Sequence, residues 1–246
     1  GSVTALLRRY AEEIKTPDQL FEPDDGPVAK HLHLYPVQVF GEKPLYPPAA
    51  PRSEVPLRPV ETGTLDPEQL QALALESREK AGSIGVAFTY NEPLVGYEYV
   101  RDCARLLKSH GLATVLVTNG FLCRELWEKL LPLVDAANID LKGFTPEFYR
   151  WVGGDLDTVK TNIRLAVEAG CHVEVTTLVI PGRNDGEDDM KKEAQWLASL
   201  SPELPLHISR YFPRWHLDLP PTPVETVYHL AALARKWLNY VYEGNC

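Results

Sequence analysis

Asp140 and Lys142 lie two residues apart in the stretch NIDLKGF (138–144). Side chains alternate along an extended chain, so both point to one face of the strand that carries them. The apolar residues Leu133, Val134, Ala136, Ala137 and Ile139 lead into the pair, and Gly143 follows it. An acid and a base therefore stand side by side where a buried strand ends. Two chemistries suit such a pair. One is a structural salt bridge. The other is a Schiff-base nucleophile at Lys142, which needs a desolvated amine; Asp140 works against it by favouring the charged form. Similar polar ends follow other apolar runs: Asn91 and Glu92 in TYNEP, Thr118 and Asn119 in TNG, the segment TTLVIPGRND, and His207 in HISRYFPR. Each has a plain reading as well. Glu92 before Pro93 suits a helix cap, and His207 between Leu206 and Ile208 suits a satisfied core or rim histidine.

These groups need elements to position them, and the chain after residue 63 supplies a regular series. Helices are expected at 66–80, opened by Asp66-Pro67 and closed by Gly82, and at 95–110, 123–131, 156–169, 187–200 and 223–237. Strands are expected at 83–89, 113–118, 136–141, 172–180, 205–212 and 239–243, with a turn capped at Thr145. The acidic run Glu187-Asp188-Asp189 suits the positive end of a helix. Apolar strands alternating with helices through short loops mean a parallel sheet covered by helices, either doubly wound or a βα-barrel. No GxGxxG or Walker sequence opens a helix, which argues against a nucleotide-binding doubly wound sheet. In a barrel, chemistry collects where the strands end.

Before residue 63 the pattern differs. Eleven of the 21 prolines lie in residues 1–67, so 1–62 reads as a proline-rich, partly irregular segment preceding a 63–246 core. Within it, 4–14 is a candidate amphipathic helix and 28–40 a strand interrupted by Pro36. His31 and His33 share a face of that strand but have no third ligand nearby, so they read as structural.

The 246 residues suffice for one large domain, with 44% hydrophobic and 24% charged residues. A net charge of −9 speaks against a nucleic-acid partner. No apolar run is of membrane-span length, and a cytoplasmic protein is expected. The four cysteines, at 103, 123, 171 and 246, fit neither a zinc site nor a disulfide framework. Cys103 and Cys123 fall in helical patterns and read as small buried hydrophobes.

Taken in order, FTYNEP, VLVTNG, NIDLK, HVEVTTLVIPGRND, LHISRYFP, LPPTPVET and YVYEGN resemble the radical S-adenosylmethionine enzymes. The similarity is to the branch of the pyruvate formate-lyase (glycyl-radical-enzyme) activating enzymes, and within it to the AmmeMemoRadiSam-type subgroup, whose genes accompany AMMECR1-type and Memo-type proteins. It implies an α/β fold, a partial (βα)6-type barrel with parallel strands. It implies S-adenosylmethionine and a [4Fe–4S] cluster as cofactors, an electron donor, and a protein or small-molecule substrate. By the same resemblance Asn91 and Glu92 receive the methionine amino group, and Asp140 and Lys142 border the methionyl part, with Lys142 facing its carboxylate. Thr118 and Asn119 align near the same site, His207 approaches the adenosine, and Arg210 and Tyr211 are candidates for that cavity. Val117 stands where the activating enzyme has an aspartate. The cluster itself is held in the family by a CxxxCxxC loop after the first strand, and no such spacing occurs here. KPLY (43–46) runs instead into PPAAPRSEVPLRPVETG, so the first, cluster-bearing strand is missing or replaced: either a segment between about residues 46 and 56 is left out of this sequence, or the protein itself has no cluster and HLHLY (31–35) substitutes for the strand. No residue is assigned as a catalytic acid or base, because the cofactor carries the chemistry. Reductive cleavage of S-adenosylmethionine to a 5′-deoxyadenosyl radical is expected if a cluster is present. The alternatives are a cluster-free binding or scaffold protein on the same barrel and, third, the Lys142 Schiff-base lyase.

Overall fold

Six short runs of apolar residues each pair in parallel with the next, and helices make the return journeys. The computed structural model describes residues 65–214 and 217–246; the expectations for 1–62 fall outside them. Helix α1 (Pro67–Ala81) leads to β1 (Gly85–Phe88). A 3₁₀ turn (Pro93–Gly96), α2 (Tyr97–Ser109) and β2 (Ala113–Thr118) follow, then α3 (Arg124–Leu130) and β3 (Ala136–Asp140). Two helices, α4 (Pro146–Trp151) and α5 (Leu156–Glu168), precede β4 (His172–Val179). Next come α6 (Glu187–Leu200), β5 (Leu206–Arg210), α7 (Val224–Ala234) and β6 (Val241–Gly244).

Local chemistry explains the helix ends. Asp66 and Gln69 form a capping box at the start of α1, and Gly82 ends it in the left-handed region at φ 69°. Thr145 accepts from the Phe148 N–H, with Pro146 in the first turn. That cap opens a six-residue helix, α4, where a turn was expected. Glu187, Asp188 and Asp189 occupy the first turn of α6 as anticipated. Cys123 is a correction. It is the exposed N-cap of α3 in extended backbone, not a buried helical thiol, whereas Cys103 is fully buried in α2.

The strand order is β1-β2-β3-β4-β5-β6, all parallel. A doubly wound sheet reverses its order in the middle; this one never does. Since parallel crossovers share one hand, winding in one direction places the helices on one face and bends the sheet into part of a barrel. Strand parity then divides the side chains. Leu116, Ala137, Ile139, Val175, Leu206 and Ile208 are fully buried against the helices. Their neighbours Val117, Asn138, Asp140, Glu174, Thr176, His207, Ser209 and Tyr242 share the opposite, concave face by register.

Gly120 ends the turn after β2. It has φ +67°, and a Cβ there would lie 2.7 Å from Cγ2 of Ile139. Gly120→Ala is expected to cost about 2 kcal/mol, combining left-handed strain with overpacking. A shift of the urea midpoint at unchanged m-value measures it.

Candidate active site at the strand ends

The ends of β1, β2 and β3 enclose a cavity of about 380 Å³. Thr89, Tyr90, Asn91 and Glu92 enter from the turn after β1. Val117, Thr118 and Asn119 come from β2, and Asp140 and Lys142 from β3. Six of the seven residues expected to bind cofactor therefore meet in one place: Asn91, Glu92, Thr118, Asn119, Asp140 and Lys142. A shallow depression of about 430 Å³ lies between α3 and α5, lined by Glu128, Leu131, Pro132, Leu165, Glu168 and Ala169. It holds like charges and no strand end, so the chemistry belongs to the smaller cavity.

Glu92 organises the site. Its Oε1 accepts from the Leu94 N–H (3.1 Å) and the Thr118 hydroxyl (2.6 Å), and its Oε2 accepts from the Asn119 N–H (2.7 Å). It does cap the 3₁₀ turn, as the plain reading held, but the cap accounts for one of these bonds. An ionised carboxylate offers about four acceptor sites. Three are used inside the protein, which leaves Oε2 one spare acceptor site. In the same lining the Lys142 ammonium lies 2.5 Å from Asp140 Oδ2, both side chains about one-third exposed. The loop carrying Asn119 is tied down from below. Asn162, 1% exposed, donates to the carbonyls of Gly120 and Leu122, both at 2.8 Å.

The other expected residues lie elsewhere. His207 sits on the concave face in β5, outside the cavity lining. Its Nε2 is 2.7 Å from Glu174 Oε2, and its ring stacks on Tyr242 at 5.2 Å. Glu174 is fully buried and also meets His172 Nε2 at 3.2 Å. Arg210 donates to the Thr222 carbonyl at 2.6 Å and covers the Phe212 ring. Tyr211 packs with Phe148 and Ile180 and donates to the Leu217 carbonyl. Neither Arg210 nor Tyr211 lines the cavity. Sequence reasoning missed Tyr90, and it missed the buried groups behind Lys142, of which the polar segment TTLVIPGRND was the visible trace.

The residues suit one of the two implied cofactors. A sulfonium amino acid brings an ammonium and a carboxylate, and the cavity is lined by both a carboxylate with a spare acceptor site, Glu92, and an ammonium, Lys142. The cluster does not fit. Cys103 lies in the helical core, its thiol pushed up to about 11 by burial. Cys171 precedes β4, at the end of the sheet away from the cavity, and burial pushes it to about 12. Cys123 caps α3, Cys246 ends the chain, and no three of the four have the CxxxCxxC spacing. Among the described residues no group of three His, Cys, Asp or Glu side chains could hold a metal ion. No helix among them is long and apolar enough to cross a membrane.

An uncharacterized protein of Methanocaldococcus jannaschii is 38% identical over 199 residues, covering 79% of this chain and 56% of that protein. The pyruvate formate-lyase 1-activating enzyme of Escherichia coli is 30% identical over 107 residues, 42% of this chain and 44% of the enzyme. The chain thus spans about half the length of these curated relatives. Among solved structures, a domain of a pyruvate-formate lyase-activating enzyme from Bacteroides vulgatus superposes with TM-score 0.56 at 22% identity. That match covers 65% of this chain and 99% of the domain. Streptococcus suis SuiB bound to S-adenosylmethionine gives 0.59 at 10% identity, covering 75% and 45%. These likenesses confirm the partial barrel. The profile of the radical SAM superfamily matches residues 51–194, more than half of the sequence, and the chain belongs to that superfamily.

Proposed function

We propose that the cavity at the ends of β1, β2 and β3 binds S-adenosylmethionine by its methionyl end, in a protein of the activating-enzyme branch. The carrying observation is the presence of opposite charges in the lining of one cavity: the Glu92 carboxylate for the ammonium, the Lys142 ammonium for the carboxylate. Asn91, Thr118 and Asn119 complete that end. Asp140 orients Lys142. His207 serves the adenosine side only if the ligand extends along the concave face toward β5. Within the branch, the seven motifs favour the AmmeMemoRadiSam-type subgroup. A polypeptide is the favoured substrate class. The relatives include an activating enzyme, and SuiB has been captured with a precursor peptide.

In the family a [4Fe–4S] cluster supplies the electron that splits S-adenosylmethionine into methionine and a 5′-deoxyadenosyl radical. These residues provide the binding half of that machinery and no thiolates for the cluster. The cysteine placement therefore supports a second reading, a cluster-free S-adenosylmethionine-binding protein on the same barrel. The Schiff-base reading loses support, because the Lys142 ammonium is committed as a donor to Asp140.

Calorimetry with iron-free protein tests the binding. S-adenosylmethionine is expected to bind once per chain, with free methionine competing; no heat from either ligand rejects the site. Anaerobic expression of the full natural gene, with iron and sulfide analysis, separates the two readings. Four irons per chain with 5′-deoxyadenosine formation would establish the radical reaction. Iron-free protein that still binds ligand would establish the second reading.

A further inference from the structure

The peptide that carries Lys142 is gripped from behind by groups to which no role has yet been given. The Lys142 N–H donates to the Tyr149 hydroxyl at 3.1 Å. Its carbonyl accepts from Asn184 Nδ2 at 2.8 Å, and the same amide donates to the Leu178 carbonyl at 2.9 Å. Asn184 Oδ1 accepts from the Ile180 N–H, so both amide hydrogens and the amide oxygen are engaged. One residue earlier, the Leu141 carbonyl accepts from the Thr177 hydroxyl at 2.9 Å, and that hydroxyl lies 2.5 Å from Glu193 Oε1. All four side chains are 5% exposed or less. Gly143 allows the Phe148 ring to close over the same turn, since a Cβ there would meet Phe148 Cδ1 at 2.7 Å.

A proton count gives this arrangement direction. A threonine hydroxyl carries one hydrogen, and the Leu141 carbonyl can only accept. The two contacts are both hydrogen bonds at once only when Thr177 donates to Leu141 and Glu193 donates to Thr177 as a neutral acid. We propose that Tyr149, Thr177, Asn184 and Glu193 are positioning residues for Lys142, a buried hydrogen-bonded clasp in which a protonated Glu193 holds the strand end that aims the ammonium into the cavity. The inference rests on the S-adenosylmethionine reading of that cavity.

The surroundings agree with a neutral Glu193. Burial pushes its carboxyl up to about 8, opposed by the Thr177 bond and reinforced by Asp189 one turn earlier. The titratable group facing it from α4 is Tyr149, which burial holds above its ordinary value, with Glu193, Asp140 and Asp155 adding to the rise. On the other elements around α6 the charged groups are engaged outside the core. His229 of α7 bonds to Glu187, and Lys160 of α5 lies over the Trp196 ring. As pH rises through about 8, Glu193 loses the hydrogen it donates, Thr177 turns to the carboxylate, and the Leu141 carbonyl is left unsatisfied.

The test uses the full chain, with S-adenosylmethionine as the probe. From pH 7 to 9 the wild-type dissociation constant is expected to rise about tenfold relative to Glu193→Gln, whose amide keeps a hydrogen for Thr177 at every pH. Referring both to the glutamine variant removes the titration of the ligand's own amine. Asn184→Ala is expected to weaken binding about tenfold at pH 7, and Glu193→Gln to bind far better than Glu193→Ala. A second readout needs no ligand: the backbone amide signals of Lys142 and Gly143 should shift through the same pH range in the wild type and stay fixed in Glu193→Gln. Parallel affinity profiles and amide signals that do not titrate overturn the clasp. Titrating amides in a protein that binds no S-adenosylmethionine reject the ligand reading and uphold the clasp.

Discussion

Glu92→Gln is expected to weaken S-adenosylmethionine binding by about two orders of magnitude. The carboxylate accepts from three donors within the protein, Leu94 N–H, Thr118 O–H and Asn119 N–H, and is proposed to accept a fourth bond from the ligand ammonium. A glutamine replaces one oxygen with an NH₂ group, so a donor must face donors whichever way the amide is turned. The ligand ammonium also loses its opposite charge. Charge-assisted bonds of this kind contribute about 1.5–3 kcal/mol each, and about 1.4 kcal/mol is a factor of ten. Lys142→Met should cost a comparable amount through the carboxylate, and the double variant should bind no detectable ligand. Calorimetry at fixed pH reads the affinities, and thermal unfolding confirms that the variants are folded. Unchanged affinity in Glu92→Gln would remove the site from this cavity.

Trp127→Ala is expected to lower stability by about 3–5 kcal/mol, the range for removing a large aromatic side chain from a core. Trp127 is fully buried in α3, and its indole N–H donates to the Asn162 carbonyl at 2.9 Å. The substitution leaves a cavity and removes the second hydrogen bond to a carbonyl that keeps its helical N–H partner within α5. For a chain of this size the melting temperature should fall by roughly 10–15 °C. The effect should also reach the site. Asn162 holds the carbonyls of Gly120 and Leu122, and so the loop from which Asn119 contributes its N–H to Glu92. A melting temperature within a few degrees of the wild type would show that α3 can collapse over the gap.

Much of this arrangement was legible in the letters, for a physical reason. A buried strand tolerates polar groups at its end, so TYNEP, TNG and DLK announced themselves against their apolar runs, and their six polar residues do meet. His207 shows where such reasoning stops. Alternation places it on the concave face, but only inter-strand register tells that it lies two strands from Asp140, beside Glu174. Cys123 was misread because a cap residue carries the same apolar signal as the helix it precedes. Tyr149 and Glu193 carry no local mark at all, and the polar segment TTLVIPGRND marks Thr177 and Asn184 only as part of a strand end. Their meaning lies in contacts across as many as 42 residues of sequence, which no periodicity encodes.

Among the described residues, each strand in this sheet bonds only to strands adjacent in the chain. Such a sheet is built like a stack of repeats, where every unit leans on the one before and the one after. A unit lost or exchanged at one end leaves the remaining ladders untouched. That modularity lets the strand ends that build the cavity keep their register and shape whatever is added, lost or exchanged beyond the edge of the sheet.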